Sequence, residues 1–213
     1  MSCRRRLWIL MAVLGMTCLS TASAALSAKS PAYAVMGERL QTLNHQILAD
    51  RSRLSGVAEQ YLSSGDLSEE DFNWLKITAE KYGLQPRRRG DENFFKALLS
   101  RIDAVPPSLA LAQGWLEYGW LLPKNSAEAT PRSGAARMLP PEDMHAWVHA
   151  LNTEDRYAAF RRLREDLRRR HKPLTAKALA PALEPITSEG PRYTARINTV
   201  IHRLRLDRWD PKT

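Results

Sequence analysis

Residues 101–120 read RIDAVPPSLALAQGWLEYGW, and this stretch decides what kind of fold the chain can form. The run Pro106-Pro107-Ser108 interrupts any preceding helix and restarts the chain. From Leu109 to Trp120 most residues are apolar, which is typical of a helix that is buried on nearly every side. Such a helix must be surrounded by other elements of the same chain, and the neighbouring sequence supplies further helices.

A long amphipathic helix is predicted from about Ala32 to Ser63. Its apolar residues recur with alternating steps of four and three, and only Asp50 interrupts the series. The members of this seam are Met36, Leu40, Leu43, Ile47, Leu54, Val57 and Tyr61. A seam this long needs a packing partner along its length, so we expect an arm that embraces the rest of the protein.

The remaining segments are also predicted to be helical. Ser68, Asp91 and Thr175 are predicted N-caps, and Gly190-Pro191 is a predicted helix start. No stretch alternates apolar and polar residues over a useful length, so no strand is predicted. The predicted fold class is therefore all-α, with an N-terminal helical arm over residues 25–90 and a helical domain over residues 91–213.

The first 24 residues, MSCRRRLWILMAVLGMTCLSTASA, predict export. Three arginines precede a short apolar run, and Ala22-Ser23-Ala24 has the small-x-small pattern of a cleavage site, as in a bacterial secretory signal peptide. An uncleaved membrane anchor is the alternative interpretation. We expect cleavage after Ala24 and a periplasmic protein. No later apolar run is long enough to span a membrane.

The overall charge indicates which partners the chain can bind, and the positions of the cysteines indicate which chemistry the mature chain lacks. With 32 basic against 23 acidic residues the chain carries +9, which favours anionic partners such as nucleic acid, lipid or cell-wall polymer. Export argues against nucleic acid as a partner, because none would be present. Cys3 and Cys18 both lie in the signal, so the mature chain would have no disulfide, no thiolate metal site and no cysteine nucleophile.

The sequence gives little support for a metal site or for a phosphate-binding site. His145 and His149 have the spacing of a metal pair, but Ala146 takes the place of the glutamate found in zinc-protease helices. No third ligand is near, so solvent-facing histidines are the favoured interpretation, and we expect no metal and no cofactor. No Gly-rich phosphate loop and no GxSxG motif occur.

A basic run near residue 165 is interpreted as a solvated helix face, with docking of an anionic wall polymer as the alternative. Its members are Arg161, Arg162, Arg164, Arg168, Arg169, Arg170, His171 and Lys172.

Glu117 is the candidate catalytic residue. It ends the apolar helix, next in sequence to Trp115, Tyr118 and Trp120. Loss of solvation in apolar surroundings raises the pKa of a carboxyl group. Such a group can deliver a proton to the leaving oxygen of a glycosidic bond, and aromatic faces suit sugar rings. The alternative is a glutamate at a helix end that points to water.

The segment Arg101–Gln113 resembles the Bax-type branch of the glucosaminidase family, whose domain is of the mannosyl-glycoprotein endo-β-N-acetylglucosaminidase type. In that family a similar VPPSLALAQ leads into ESGWG, whose glutamate is the catalytic acid; Glu117-Tyr118-Gly119-Trp120 stands at that place. Further similar segments cover most of the mature chain: 44–54, 67–82, 150–157, 163–174 and 188–193.

The resemblance implies a lysozyme-like helical fold and hydrolysis of the bond after N-acetylglucosamine, in peptidoglycan or a related glycan. Glu117 would be the general acid. Trp115, Tyr118, Trp120 and Tyr193 would contact the glycan.

The sequence also departs from the family after the glutamate. The family continues with a small β-lobe, whereas here a proline-broken loop runs from Leu121 to Pro140, so the lobe is expected to be reduced or absent. The family's catalytic tyrosine falls at Ile186 or Thr187. Three hypotheses therefore stay open: an active exported glucosaminidase, a degenerate relative that binds glycan without cleaving it, and a helical periplasmic protein whose arm docks a partner helix.

Overall fold

A computed structural model of the chain describes residues 31–85, 91–118 and 144–211, and within them the side chains of 34–85, 91–116 and 144–211. These residues form eight α-helices and no β-strand, which confirms the all-α fold class. The helices are α1 Pro31–Ser64, α2 Glu69–Lys81, α3 Glu92–Arg101, α4 Pro107–Tyr118, α5 Met144–Thr153, α6 Ala158–Arg169, α7 Ala176–Leu179 and α8 Pro191–Leu204. Short 3₁₀ segments lie at Asp155–Tyr157, Ala180–Ile186 and Leu206–Trp209.

The predicted arm helix is confirmed as α1. It has 34 residues, about 50 Å at the usual rise of a helix, and packs against α3 and α4. The seam faces this contact: Leu40, Ile47, Leu54 and Val57 are buried, and Met36, Leu43 and Tyr61 are half-buried. Asp50, which interrupts the seam, pairs with Lys81 at the end of α2, with 3.2 Å between its Oδ2 and the Lys81 Nζ.

The three predicted N-caps are also confirmed. Ser68 Oγ accepts a hydrogen bond from the Asp71 amide at 3.1 Å, Asp91 Oδ1 accepts from the Phe94 amide at 2.7 Å, and Thr175 Oγ1 accepts from the Ala178 amide at 3.2 Å. Each bond satisfies an amide that has no partner inside its own helix. The helix starts are therefore encoded locally.

Helix α4 occupies the centre of the core. It contacts α1, α7, α8 and the 3₁₀ segment Leu206–Trp209. Every residue from 105 to 114 is buried, which confirms the prediction of a helix covered on nearly all sides. Trp115 is half-buried and packs against the core.

Helix α6 corrects the prediction of a solvated basic face. Tyr157 and Phe160 are buried, and the buried face continues through Arg161 and Arg164, while Leu163 and Leu167 are only half-buried. Arg161 is accommodated because its Nη1 donates to the Glu154 carbonyl at 2.7 Å and to the Leu151 carbonyl at 3.3 Å. The other members of the basic run are exposed or, for Arg168, partly exposed.

Three predictions fall outside what the structure describes, and one of them is the signal peptide over residues 1–24 with its cleavage site. The loop from Leu121 to Pro140, and with it the reduced β-lobe, lies between the described residues, and the boundary at residue 90 between arm and domain stays a prediction. Among the described helices, none combines the length and the apolar character that a membrane crossing requires.

Candidate functional site

The chain that leads into α4 has no regular secondary structure, so its backbone groups need partners from elsewhere. Asn44 of α1 binds Val105 twice: its Nδ2 donates to the Val105 carbonyl at 2.8 Å, and its Oδ1 accepts from the Val105 amide at 3.1 Å. Asn152 of α5 donates to the Asp103 carbonyl at 3.1 Å. The arm and α5 thereby hold this segment from two sides.

The Asp103 carboxylate is the centre of a buried ion cluster. Asp103 is only 2% exposed, and Arg168 donates to both of its oxygens, from Nε to Oδ2 at 3.0 Å and from Nη2 to Oδ1 at 2.5 Å. The guanidinium groups of Arg164 and Arg51 lie 3.7 and 3.8 Å from Oδ2. We call these four residues the Asp103 cluster.

The positively charged arginines around Asp103 keep its carboxylate ionised. Burial by itself would raise the pKa of Asp103, but the hydrogen bond from Arg168 and the charges of Arg164 and Arg51 outweigh burial, so the pKa lies below its usual range. A buried carboxylate is stable only when it is paired and hydrogen-bonded in this way.

Arg164 connects the cluster to the backbone before α4. Its side chain is 1% exposed, and burial lowers its pKa while the charge of Asp103 opposes that shift. Its Nη2 donates to the Ser100 carbonyl at 2.8 Å, and its Nη1 is shared among the Asn152 Oδ1 at 2.8 Å and the carbonyls of Asp103 and Ala104. One arginine thus satisfies carbonyls in the last turn of α3 and in the segment that connects α3 to α4.

The first turn of α4 is capped by a residue from the far end of the chain. Asp210 Oδ1 accepts from the Ser108 amide at 2.9 Å, and Oδ2 accepts from the Ser108 hydroxyl at 2.6 Å. A negative charge is favourable at a helix N-terminus. Burial raises the pKa of Asp210, although the hydrogen bonds from Ser108 act against this.

The segment that carries Asp210 is itself held on α1. The Gln41 side chain donates to the Trp209 carbonyl at 2.9 Å. The Trp209 ring lies so close to Gly37 that any side chain at residue 37 would collide with it. α4 therefore begins in a rigid frame made by α1, α5, α6 and residues 205–211.

The predicted site residues lie at the other end of α4. Residue 117 belongs to its last turn, but the side chains of Glu117 and Tyr118 lie outside the described side chains, and Trp120 lies outside the described residues. Trp115 is half-buried, and its indole nitrogen is buried without a hydrogen-bond partner among the described residues. Tyr193 of α8 is 1% exposed within the core. The glycan-contact roles of these residues stay predictions.

The two histidines of α5 are exposed, as the sequence indicated. His149 Nε2 lies 2.6 Å from the Lys81 carbonyl, so this nitrogen carries the proton, and its ring stacks on Tyr82 at 6.1 Å. The described part of the chain contains no group of three or more side chains able to hold a metal ion.

A groove that sequence analysis did not predict runs between α1 and α5. One part is a cleft of about 360 Å³ between α1, the end of α2 and α5. A second cleft of about 350 Å³ continues along α1 and shares Leu43, Gln46 and His145 with the first. We call the two together the α1–α5 groove. Its walls come from residues about 100 positions apart, so no local pattern could reveal it.

The chain is similar to Protein bax of Escherichia coli (strain K12), with 26% identity over 168 residues. The match covers 70% of this chain and 60% of that protein, so the chain corresponds to less than two thirds of its relative. No protein-family model and no solved structure matches the chain. This distant similarity indicates a Bax-like protein, and the name of the relative states no activity.

Proposed function

We propose that the chain is an exported glucosaminidase-like protein that hydrolyses N-acetylglucosaminyl bonds in peptidoglycan or a related glycan, with Glu117 as general acid. The observation that carries the proposal is the position of residue 117 in the last turn of α4, whose first turn is fixed by Asp210 and whose lead-in is fixed by the Asp103 cluster. The distant similarity to a Bax protein agrees with the family resemblance of residues 101–113, from which the activity is inferred.

The proposed chemistry needs a proton donor beside the glycosidic oxygen. A helix carries partial negative charge at its C-terminal end, which favours a carboxyl group that keeps its proton. A general acid must retain its proton until the bond breaks, so the end of α4 suits this role. Trp115, Tyr118 and Trp120 are the proposed contacts of the sugar rings.

The frame around α4 matters because proton transfer depends on geometry. Catalytic groups work when they are held close to the productive position by a rigid element. The buried ion cluster and the Ser108–Asp210 contact fix the start of α4, and a helix transmits that position along its axis. The cluster therefore has a positioning role in the proposal.

A second candidate function is glycan binding without cleavage. The α1–α5 groove favours it, because none of the described residues of α4 lines that groove. Binding there would not need Glu117 at all. The two functions differ in whether reducing ends are released.

Export is part of the proposal. Intact-mass measurement on protein from a periplasmic fraction should give a chain that begins at Ala25. A chain that retains Met1 in a membrane fraction would favour an N-terminal anchor instead.

A zymogram against peptidoglycan tests the enzymatic function. Wild-type protein should clear the substrate, and Glu117→Gln should lose about 10²–10⁴-fold in rate, because the amide keeps the shape and cannot donate the proton. Glu59→Gln, at an exposed glutamate of α1, is the matched control. Circular dichroism should show both variants folded. Full activity in Glu117→Gln would remove the general-acid role, and no clearing by wild type would favour binding without cleavage.

A further inference from the structure

We infer that the α1–α5 groove is a binding site for an uncharged, N-acetylated glycan chain, separate from the described residues of α4. The choice of glycan rests on the proposed function, and the inference adds the site to it. The shape, charge and polar groups of the groove each support this class of ligand.

The shape of the groove suits an extended chain. Its lining runs along α1 from Val35 to Asp50, which is roughly 22 Å at the rise of a helix. The two clefts adjoin each other, since Leu43, Gln46 and His145 line both. A long, open groove accommodates consecutive sugar units better than it encloses a compact cofactor.

The charge of the groove is balanced. The lining contains two acidic residues, Glu38 and Asp50, and two basic residues, Arg39 and Lys81. Asp50 and Lys81 also neutralise each other through their ion pair. The positive surplus of the chain therefore does not extend into the groove, which disfavours a phosphate-rich ligand there.

Two polar side chains stand at the junction of the two clefts. The side chains of Gln46 and His145 are exposed and form no hydrogen bond with any other residue that the structure describes. An amide offers donors and an acceptor side by side, and a neutral imidazole offers one of each. The hydroxyl and acetamido groups of an N-acetylated sugar present the complementary set.

The base of the groove is apolar and preformed. Leu43 lines the base and is half-buried, so it can contact the apolar face of a sugar ring or the methyl of its acetamido group. Ile47, Tyr82 and Val148 also line the base but are only 4%, 2% and 1% exposed, so they support Leu43 from within the core. One wall is fixed because His149 binds the Lys81 carbonyl. A preformed site loses little entropy on binding.

Binding of the soluble tetramer of N-acetylglucosamine tests the inference. Isothermal titration should use Glu117→Gln as the background, so that any hydrolysis cannot consume the ligand. Adding Gln46→Ala and His145→Ala together should weaken binding about tenfold, as expected from the loss of two hydrogen bonds. Gln60→Ala with His202→Ala is the matched control, because both residues are exposed and lie outside the groove lining.

The outcomes separate this inference from the proposed function. A selective loss in the groove variant supports the inference, even if wild-type protein releases no reducing ends and the hydrolase proposal fails. Equal affinity in groove and control variants would overturn the inference, and so would an absence of tetramer binding in the Glu117→Gln background. Neither titration result would change the outcome of the zymogram, because the zymogram measures only hydrolysis and its dependence on Glu117.

Discussion

Arg168 and Asp103 form a two-pronged ion pair across 65 residues of sequence, with both carboxylate oxygens engaged by one guanidinium group. Paired hydrogen bonds of this kind fix orientation as well as distance. The pair joins α6 to the segment before α4. The Arg168–Asp103 pair therefore fixes the position in space at which the central helix α4 begins.

Asp103→Asn should destabilise the protein strongly. The variant would leave Arg164 buried without its counter-charge, and breaking a buried pair costs about 3–5 kcal/mol. Urea denaturation followed by circular dichroism measures the change in the free energy of unfolding. Asp207→Asn, at an exposed aspartate, should shift it by less than about 0.5 kcal/mol. Equal midpoints for the two variants would show that the cluster does not support the fold.

Acid should remove the contribution of Asp103. Its pKa is lowered in the folded state, so the stabilisation is complete above the unfolded value of about 3.9 and is lost as the pH falls through the folded value. Asp210 acts in the opposite direction, because its raised pKa lets the folded state take up a proton first. Wild type should therefore lose more stability than Asp103→Asn between about pH 4 and pH 2. Parallel curves for the two proteins would contradict this assignment.

Asp210→Ala should weaken the start of α4. Both bonds to Ser108 disappear, and losing a helix cap costs about 0.5–2 kcal/mol. Thermal unfolding should show a lower midpoint than wild type, whereas Asp207→Ala should leave it unchanged because no hydrogen bond of that side chain is observed among the described residues. If the midpoint were lowered in both variants, the loss of stability would come from the 3₁₀ segment Leu206–Trp209 as a whole and not from the contact with Ser108.

Leu54→Ala tests the packing of the arm. Leu54 is fully buried on α1, and truncating such a leucine costs about 2–5 kcal/mol. Leu62, on the same helix, is 55% exposed, so Leu62→Ala is the matched control. Chemical denaturation should separate the two variants clearly. An arm that detaches in solution would give the same small change in both.

Local sequence was enough to predict the elements that depend on near neighbours. The seam from Met36 to Tyr61 identified α1, and Ser68, Asp91 and Thr175 marked helix starts, because periodicity and capping act within a few residues. The burial of α4 followed from its composition. These features need no knowledge of which helix packs against which.

Long-range pairing could not be predicted from the same patterns. The basic run around Arg164 predicts a solvated face because arginine is seldom buried, whereas the partners of Arg164 at Ser100 and Asp103 lie more than 60 residues away. Two features of the sequence point to this buried pairing. Asp103 is the one charged residue between Ile102 and Gln113, and Arg164 follows the apolar Phe160 by one helical turn. The groove was also missed, because it exists only once α1 and α5 meet.

The contact between Ser108 and Asp210 spans 102 residues, and this imposes an order on biosynthesis. A nascent chain emerges from its N-terminus and can fold only with the residues already synthesised. A chain that lacks Asp210 also lacks the acceptor for the Ser108 amide in the first turn of α4. The cap of α4 therefore cannot form until the chain extends 102 residues beyond Ser108.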